Sequence, residues 1–169
     1  MLPDASLALC VHRPFGFGLS YTTFAFRWAP GPPPLRVLGT AALARSAVGM
    51  TTYTVTVTNT GPVAGDVVVL AFSGAHSAAV STAPLKVLFG FERVRDLAPG
   101  HAVNVTIPSP AAGAHLSTVM RHDGSRRLLP GRWRVQIGVR GADAAVLEHE
   151  HELVGDSVTT EQNKWAQHL

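Results

Sequence analysis

Between Met50 and Thr58 the chain alternates without a break, with Tyr53, Val55 and Val57 on one side and Thr52, Thr54, Thr56 and Thr58 on the other. A period of two belongs to a β-strand, whose successive side chains leave opposite faces. A helix is disfavoured here, because branched residues lose χ1 freedom against the preceding helical turn. The same alternation returns in Phe24, Phe26 and Trp28 against Thr23, Ala25 and Arg27. It returns again in Val103, Val105 and Ile107 against Asn104 and Thr106, and in Trp133, Val135, Ile137 and Val139. Val67–Phe72 is a continuous apolar run of buried-strand length, and the turn-rich Asn59–Asp66 before it predicts a hairpin with the first strand. Leu85–Val94 carries alternating Leu85, Val87, Phe89 and Phe91, with Gly90 marking a bulge or a close approach. Leu35–Leu38 reads as an edge strand, Leu116–Met120 as a short strand, and Ala144–Leu153 as the strand that closes the sheet. Seven or eight strands at this spacing predict an all-β fold of two antiparallel sheets packed face to face.

Composition narrows the class further. The 169 residues are 46% hydrophobic and 15% charged, which excludes a disordered chain, and they suit one domain of ordinary size. No apolar run approaches the roughly 20 residues of a membrane helix, so no membrane partner is expected. The net charge of +3 is scattered apart from Arg126-Arg127 and Arg132 with Arg134, which is no nucleic-acid footprint. Cys10 is the sole cysteine, so no intrachain disulfide can form and the core must hold the fold. Met1–Val11 has no basic start and only a short apolar stretch, so no secretory leader is expected within it. The Ala41–Val48 stretch is undecided between helix and coil.

Candidate chemistry is sparse. Glycoside cleavage needs two carboxylates about 5 to 10 Å apart, and Glu92, Asp96, Asp123, Glu148, Glu150 and Glu152 read as solvated surface charge. In Glu148-His149-Glu150-His151-Glu152 the two histidines share one strand face and could chelate together, but two ligands fall short of a metal site. The expectation is an exposed edge strand kept soluble by charge, with no metal and no cofactor. Gly16-Phe17-Gly18 lacks the lysine or third glycine of a phosphate loop, and no Gly-x-Ser-x-Gly elbow occurs. Asn104-Val105-Thr106 is an N-glycosylation sequon with its asparagine on the outward face of a strand.

The densest local signal is Arg13-Pro14-Phe15-Gly16-Phe17-Gly18-Leu19-Ser20-Tyr21-Thr22-Thr23-Phe24, where glycines permit tight turns and aromatic rings dock on something large. It resembles the Phe-Gly-x-Gly-Leu-Ser-Tyr-Thr-x-Phe signature with which family-3 glycoside hydrolases, the β-glucosidases and β-xylosidases, enter their C-terminal fibronectin type III-like domain. Three later stretches resemble the same domain in the same order. They are Val55–Val68 with its Asn-Thr-Gly and Ala-Gly, Pro84–Val94 followed by Leu97-Ala98-Pro99-Gly100, and Gly131–Gly138 with Trp133 in place of a tyrosine. The Ala41–Val48 and Leu116–Gly124 stretches fit the plant-type β-xylosidases better than the bacterial β-glucosidases.

The resemblance implies a fibronectin type III-like, immunoglobulin-like β-sandwich over residues 23–153. An N-terminal arm over 1–22 carries the seam between domains, and 154–169 reads as a polar tail. It implies that the catalytic aspartate and glutamate of such enzymes lie upstream of the seam, so no catalytic residue is expected in this chain. The expected role is a non-catalytic accessory module, with Phe15, Gly16, Phe17, Gly18 and Tyr21 docking on catalytic domains in cis. The enzyme as a whole would be extracellular or secretory and would cleave terminal β-linked glucose or xylose. The alternative is a free-standing module that binds oligosaccharide or protein, with Phe15, Phe17, Tyr21, Phe24 and Trp28 as a stacking platform.

Overall fold

The structure is a computed structural model that describes residues 20–31, 36–45, 52–75, 86–109, 118–120, 125–139 and 146–161. Eleven strands and one short helix follow in order among them. They are β1 (Phe24–Trp28), β2 (Arg36–Gly39), α1 (Thr40–Arg45), β3 (Thr52–Asn59), β4 (Gly65–Ala75), β5 (Val87–Leu97), β6 (Ala102–Pro108), β7 (Thr118–Met120), β8 (Arg126–Leu128), β9 (Gly131–Gly138), β10 (Leu147–Val154) and β11 (Val158–Glu161). A three-stranded sheet, β1-β3-β6, and a five-stranded sheet, β2-β10-β9-β4-β5, pack over a shared core. A third small sheet has the order β11-β8-β7.

The predicted alternation is what fills the core. Phe26, Tyr53, Val55, Val57, Val105 and Ile107 come from the small sheet and meet Val67, Val69, Ala71, Trp133, Val135 and Ile137 from the large one, all buried. Each fully buried valine or isoleucine of this kind contributes about 1.5 to 3 kcal/mol. Tyr53 sits at the centre of an aromatic group, with ring centroids 6.2 Å from Trp28, 6.1 Å from Phe89 and 5.9 Å from His149. Trp133 closes its polar end internally, its Nε1 donating to Leu129 O at 3.2 Å.

Several expectations change. Strand count rises from seven or eight to eleven among the described residues, in part because β8 and β11 are too short to show a period. Within 154–169, read as a polar tail, β11 pairs antiparallel with β8. β2 is an edge strand as expected, yet it runs parallel to β10 in an otherwise antiparallel sheet. Ala41–Val48 resolves in its first part into α1, whose Thr40 is buried and donates from Oγ1 to Asp156 O at 2.6 Å.

Gly90 is both a bulge and a close approach. Ala71 pairs with Gly90 and Phe72 with Leu88, so Phe89 is the extra residue on β5, while a Cβ on Gly90 would come within 2.6 Å of Ile107 Cγ2. The slip also breaks the alternating row, since Phe91 beyond it is 66% exposed. Val103, expected inward at the start of β6, is likewise exposed.

Candidate domain-docking end

Four of the five predicted docking residues, Phe15, Gly16, Phe17 and Gly18, lie outside the described residues, as does Cys10. The described part of the seam starts at Ser20 and enters the sandwich through Thr22. That side chain is buried, and its hydroxyl donates to Asn59 Oδ1 at 2.6 Å. The entry is locked in backbone as well, with Thr60 N donating to Thr23 O at 2.8 Å and the two threonine hydroxyls 2.9 Å apart.

Asn59 organises this end. It is fully buried, and its Oδ1 accepts from Thr22 Oγ1 and from Gly61 N at 3.0 Å. Its Nδ2 donates to Val63 O at 2.8 Å and Leu97 O at 2.7 Å. Both acceptor sites and both donors of the amide are thus used, the condition under which burying it costs little. Its backbone completes the joint, since Asn59 N donates to His101 O at 3.0 Å and Gly100 N donates to Asn59 O at 2.9 Å. The Ala98–His101 turn has Pro99 and then Gly100 at φ 74°, with His101 N donating to Ala98 O at 3.1 Å, as a type II turn requires. One asparagine therefore ties the arm, the β3–β4 turn and the β5–β6 turn into a single end of the sandwich.

Gly61 is required by this closeness. A Cβ there would fall 2.2 Å from Thr22 Oγ1 and 2.7 Å from Thr23 N. Gly61→Ala is expected to push the arm off its seat and to cost about 1 to 3 kcal/mol, as overpacking does. Chemical denaturation measures this, and an unchanged midpoint would count against the contact.

Beside the buried anchor, Tyr21 is 98% exposed. Its neighbour Thr22 is fixed from the other direction too, with Thr22 N donating to Ser20 Oγ at 3.3 Å. Phe24 and Trp28, the other members of the suggested stacking platform, pack instead against the core. At the same end of the β4–β5 pair, Asp66 accepts from Asp96 N at 2.8 Å and from Arg93 Nη2 at 2.7 Å. The backbone donor first, and then Arg93, hold its carboxyl below the usual range.

The histidine-glutamate strand corrects a sequence expectation. β10 is no exposed edge, because it lies between β2 and β9. His149 pairs with Val135 and His151 with Trp133, so both point into the core and are buried, 7% and 2% exposed. Glu148 takes the opposite face, accepting from Gln136 Nε2 and lying 3.6 Å from Arg134 Nη1. Burial, with repulsion from His149 second, lowers His151 to about 4. No three metal-ligating side chains cluster among the described residues. Glu92 and Asp96 are exposed, and Asp123 lies outside the described residues. Asn104 is exposed on β6, as its sequon position predicted.

Sequence reasoning passed over Asn59 as a turn residue. The signal was present: Asn59 continues the inward phase of Tyr53, Val55 and Val57, and an asparagine on a core face needs partners.

With the geometry in view, residues 67–140 match the fibronectin type III-like domain family. A probable exo-1,4-β-xylosidase, bxlB of Aspergillus clavatus, is 38% identical over 154 residues, which are 85% of this chain and 19% of that protein. A β-glucosidase of Listeria innocua solved with glucose is 26% identical with a TM-score of 0.63, over 85% of this chain and 18% of that one. The fold is also that of a family-3 exo-β-xylosidase, XlnD, solved with a xylobiose aziridine activity-based probe, at 20% identity and a TM-score of 0.68 over 88% and 19% of the two chains. The chain is a fibronectin type III-like β-sandwich. It is similar to the stretch of this kind in those xylosidases and glucosidases, and it spans about a fifth of their length.

Proposed function

We propose that this chain is the non-catalytic accessory module of a family-3 glycoside hydrolase and that it docks on the catalytic domains through the end built on Asn59. The observation that carries the reading is the pairing of a fully exposed Tyr21 with a buried anchor one residue later. A free aromatic on a fixed backbone loses little freedom on binding and offers a large apolar area, which is the profile of an interface anchor. The seam residues Phe15, Gly16, Phe17 and Gly18, which precede Tyr21 in the sequence, belong to the docking segment in this reading. The enzyme served would remove terminal β-linked xylose or glucose, and the 38% identity to a xylosidase favours xylose.

The module supplies position and rigidity rather than chemistry. At this end the Asp66 carboxylate is engaged in structure, holding Arg93 and the Asp96 backbone. Two measurements test the reading together. The purified chain is expected to release no aryl alcohol from an aryl β-xyloside or β-glucoside, and release would overturn the non-catalytic role. Titrated with a separately produced catalytic region of a family-3 β-xylosidase, the chain is expected to bind. Tyr21→Ala should weaken that binding at least ~10-fold, the usual effect of removing an aromatic anchor. Retention on insoluble xylan without binding to the catalytic region would favour the carbohydrate-binding alternative instead.

A further inference from the structure

We infer that Asn104 is an N-glycosylation site, and that its glycan stands on the outer face of the β1-β3-β6 sheet. Three features of the fold support more than the sequon does. First, Asn104 and Thr106 are two apart on a strand, so both side chains leave the same outward face, and both are exposed. Second, β6 is the last strand of its sheet and pairs only with β3 among the described residues, so no further strand of that sheet flanks Asn104 on the outer face.

The third feature is the orientation of the amide. Thr56, directly opposite Asn104 on β3, donates from Oγ1 to Asn104 Oδ1 at 2.8 Å. The oxygen is thereby held against the sheet, and no described residue bonds to Nδ2, the atom that would carry the sugar. An N-linked residue keeps its carbonyl oxygen, so the Thr56 contact survives modification and the folded strand is undisturbed. The reaction needs a lipid-diphosphate-linked oligosaccharide as donor. Nδ2 forms the new bond to the anomeric carbon, the bond from that carbon to the phosphate oxygen breaks, the lipid diphosphate leaves with the electron pair, and the amide gives up one proton.

Asn59, Asn104 and Asn163 are the asparagines of the chain, and only Asn104 has a hydroxyl residue two positions on. Any asparagine-linked glycan must therefore sit there. A glycan on this face would also keep the outer side of the small sheet in solvent in the assembled enzyme, a consequence that rests on the docking reading above, whereas occupancy itself does not.

The test is expression of the full chain behind an added secretory leader in a eukaryotic host, with intact mass read in both the secreted and the retained fractions. One glycoform series is expected, collapsing on peptide-N-glycosidase treatment to the mass of the polypeptide with one asparagine converted to aspartate. Release in heavy-oxygen water should leave a labelled aspartate at position 104. Thr106→Ser should keep the glycan, while Asn104→Gln and Thr106→Ala should lose it. A wild-type chain at its bare polypeptide mass in both fractions would overturn the inference, as would a glycan that persists in Asn104→Gln. Because the readout is mass rather than binding, failure here leaves the Tyr21 titration unaffected.

Discussion

Asn59→Ala should lower the stability of the sandwich by about 4 kcal/mol, several times the loss expected for an ordinary surface change. The substitution leaves Val63 O, Leu97 O, Thr22 Oγ1 and Gly61 N without the amide that serves them. A buried polar group stripped of its partner costs about 1 to 3 kcal/mol, and the cavity adds to that, although water admitted at the loosened end recovers part of the loss. Asn59→Asp is the sharper probe. Its carboxylate still accepts from Thr22 and Gly61 but cannot donate to the two carbonyls, which it then faces as a buried negative charge. The Asp variant should therefore recover stability relative to the wild-type chain as pH falls and the carboxyl takes up a proton that it can donate. Urea denaturation at pH 7 and pH 5 reads both effects. A loss under about 1 kcal/mol in Asn59→Ala would sink the view that this residue ties the end together.

The second large effect is acid destabilisation through His151. In the folded protein the imidazole titrates at about 4, against an ordinary value of 6.5. Between those values the unfolded chain carries the proton and the folded one does not, so stability falls as pH drops through the window and levels off below it. A shift of this size corresponds to about 3 kcal/mol lost between pH 7 and pH 4. His151→Leu fills a similar volume with an apolar side chain and should flatten the curve in that window. Asp66, whose carboxyl is also held low, contributes only near and below its ordinary value of 3.8, so the two contributions separate along the pH axis. Equal midpoints at pH 7 and pH 4.5 in the wild-type chain, or an unchanged slope in His151→Leu, would contradict the assignment.

The strands that build the core were legible because they are long and half-buried. β1, β3, β6 and β9 each carry an unbroken row of apolar residues on one face, and that row is a direct consequence of facing a core. β8 and β11 have too few residues for a period to emerge, and pairing rather than propensity makes them strands. The histidine strand was misread for a related reason. Glu148, Glu150 and Glu152 suggest an exposed edge when counted as charge, but strand charges occupy one face only, and the other face holds the buried His149 and His151, with His149 against Tyr53 and Trp28.

The docking end divides in the same way. The seam motif gave a family resemblance from Arg13–Phe24, and Tyr21 within it is the exposed ring beside the arm's anchor. The motif residues Thr22, Asn59, Gly61, Leu97 and Gly100 come from three separate stretches of chain, and no local pattern says that they meet.

By itself, then, the sequence determined the all-β class, the identity of the core faces and the kinship of the domain, since periodicity and motif order are local properties that survive without a partner. Only the tertiary structure decided which residues of those motifs converge, that β10 is interior, and which way the Asn104 amide points. Those outcomes depend on strand order and on contacts between residues tens of positions apart, and hydrogen-bond completion of a buried asparagine is possible only once all of its partners are in place.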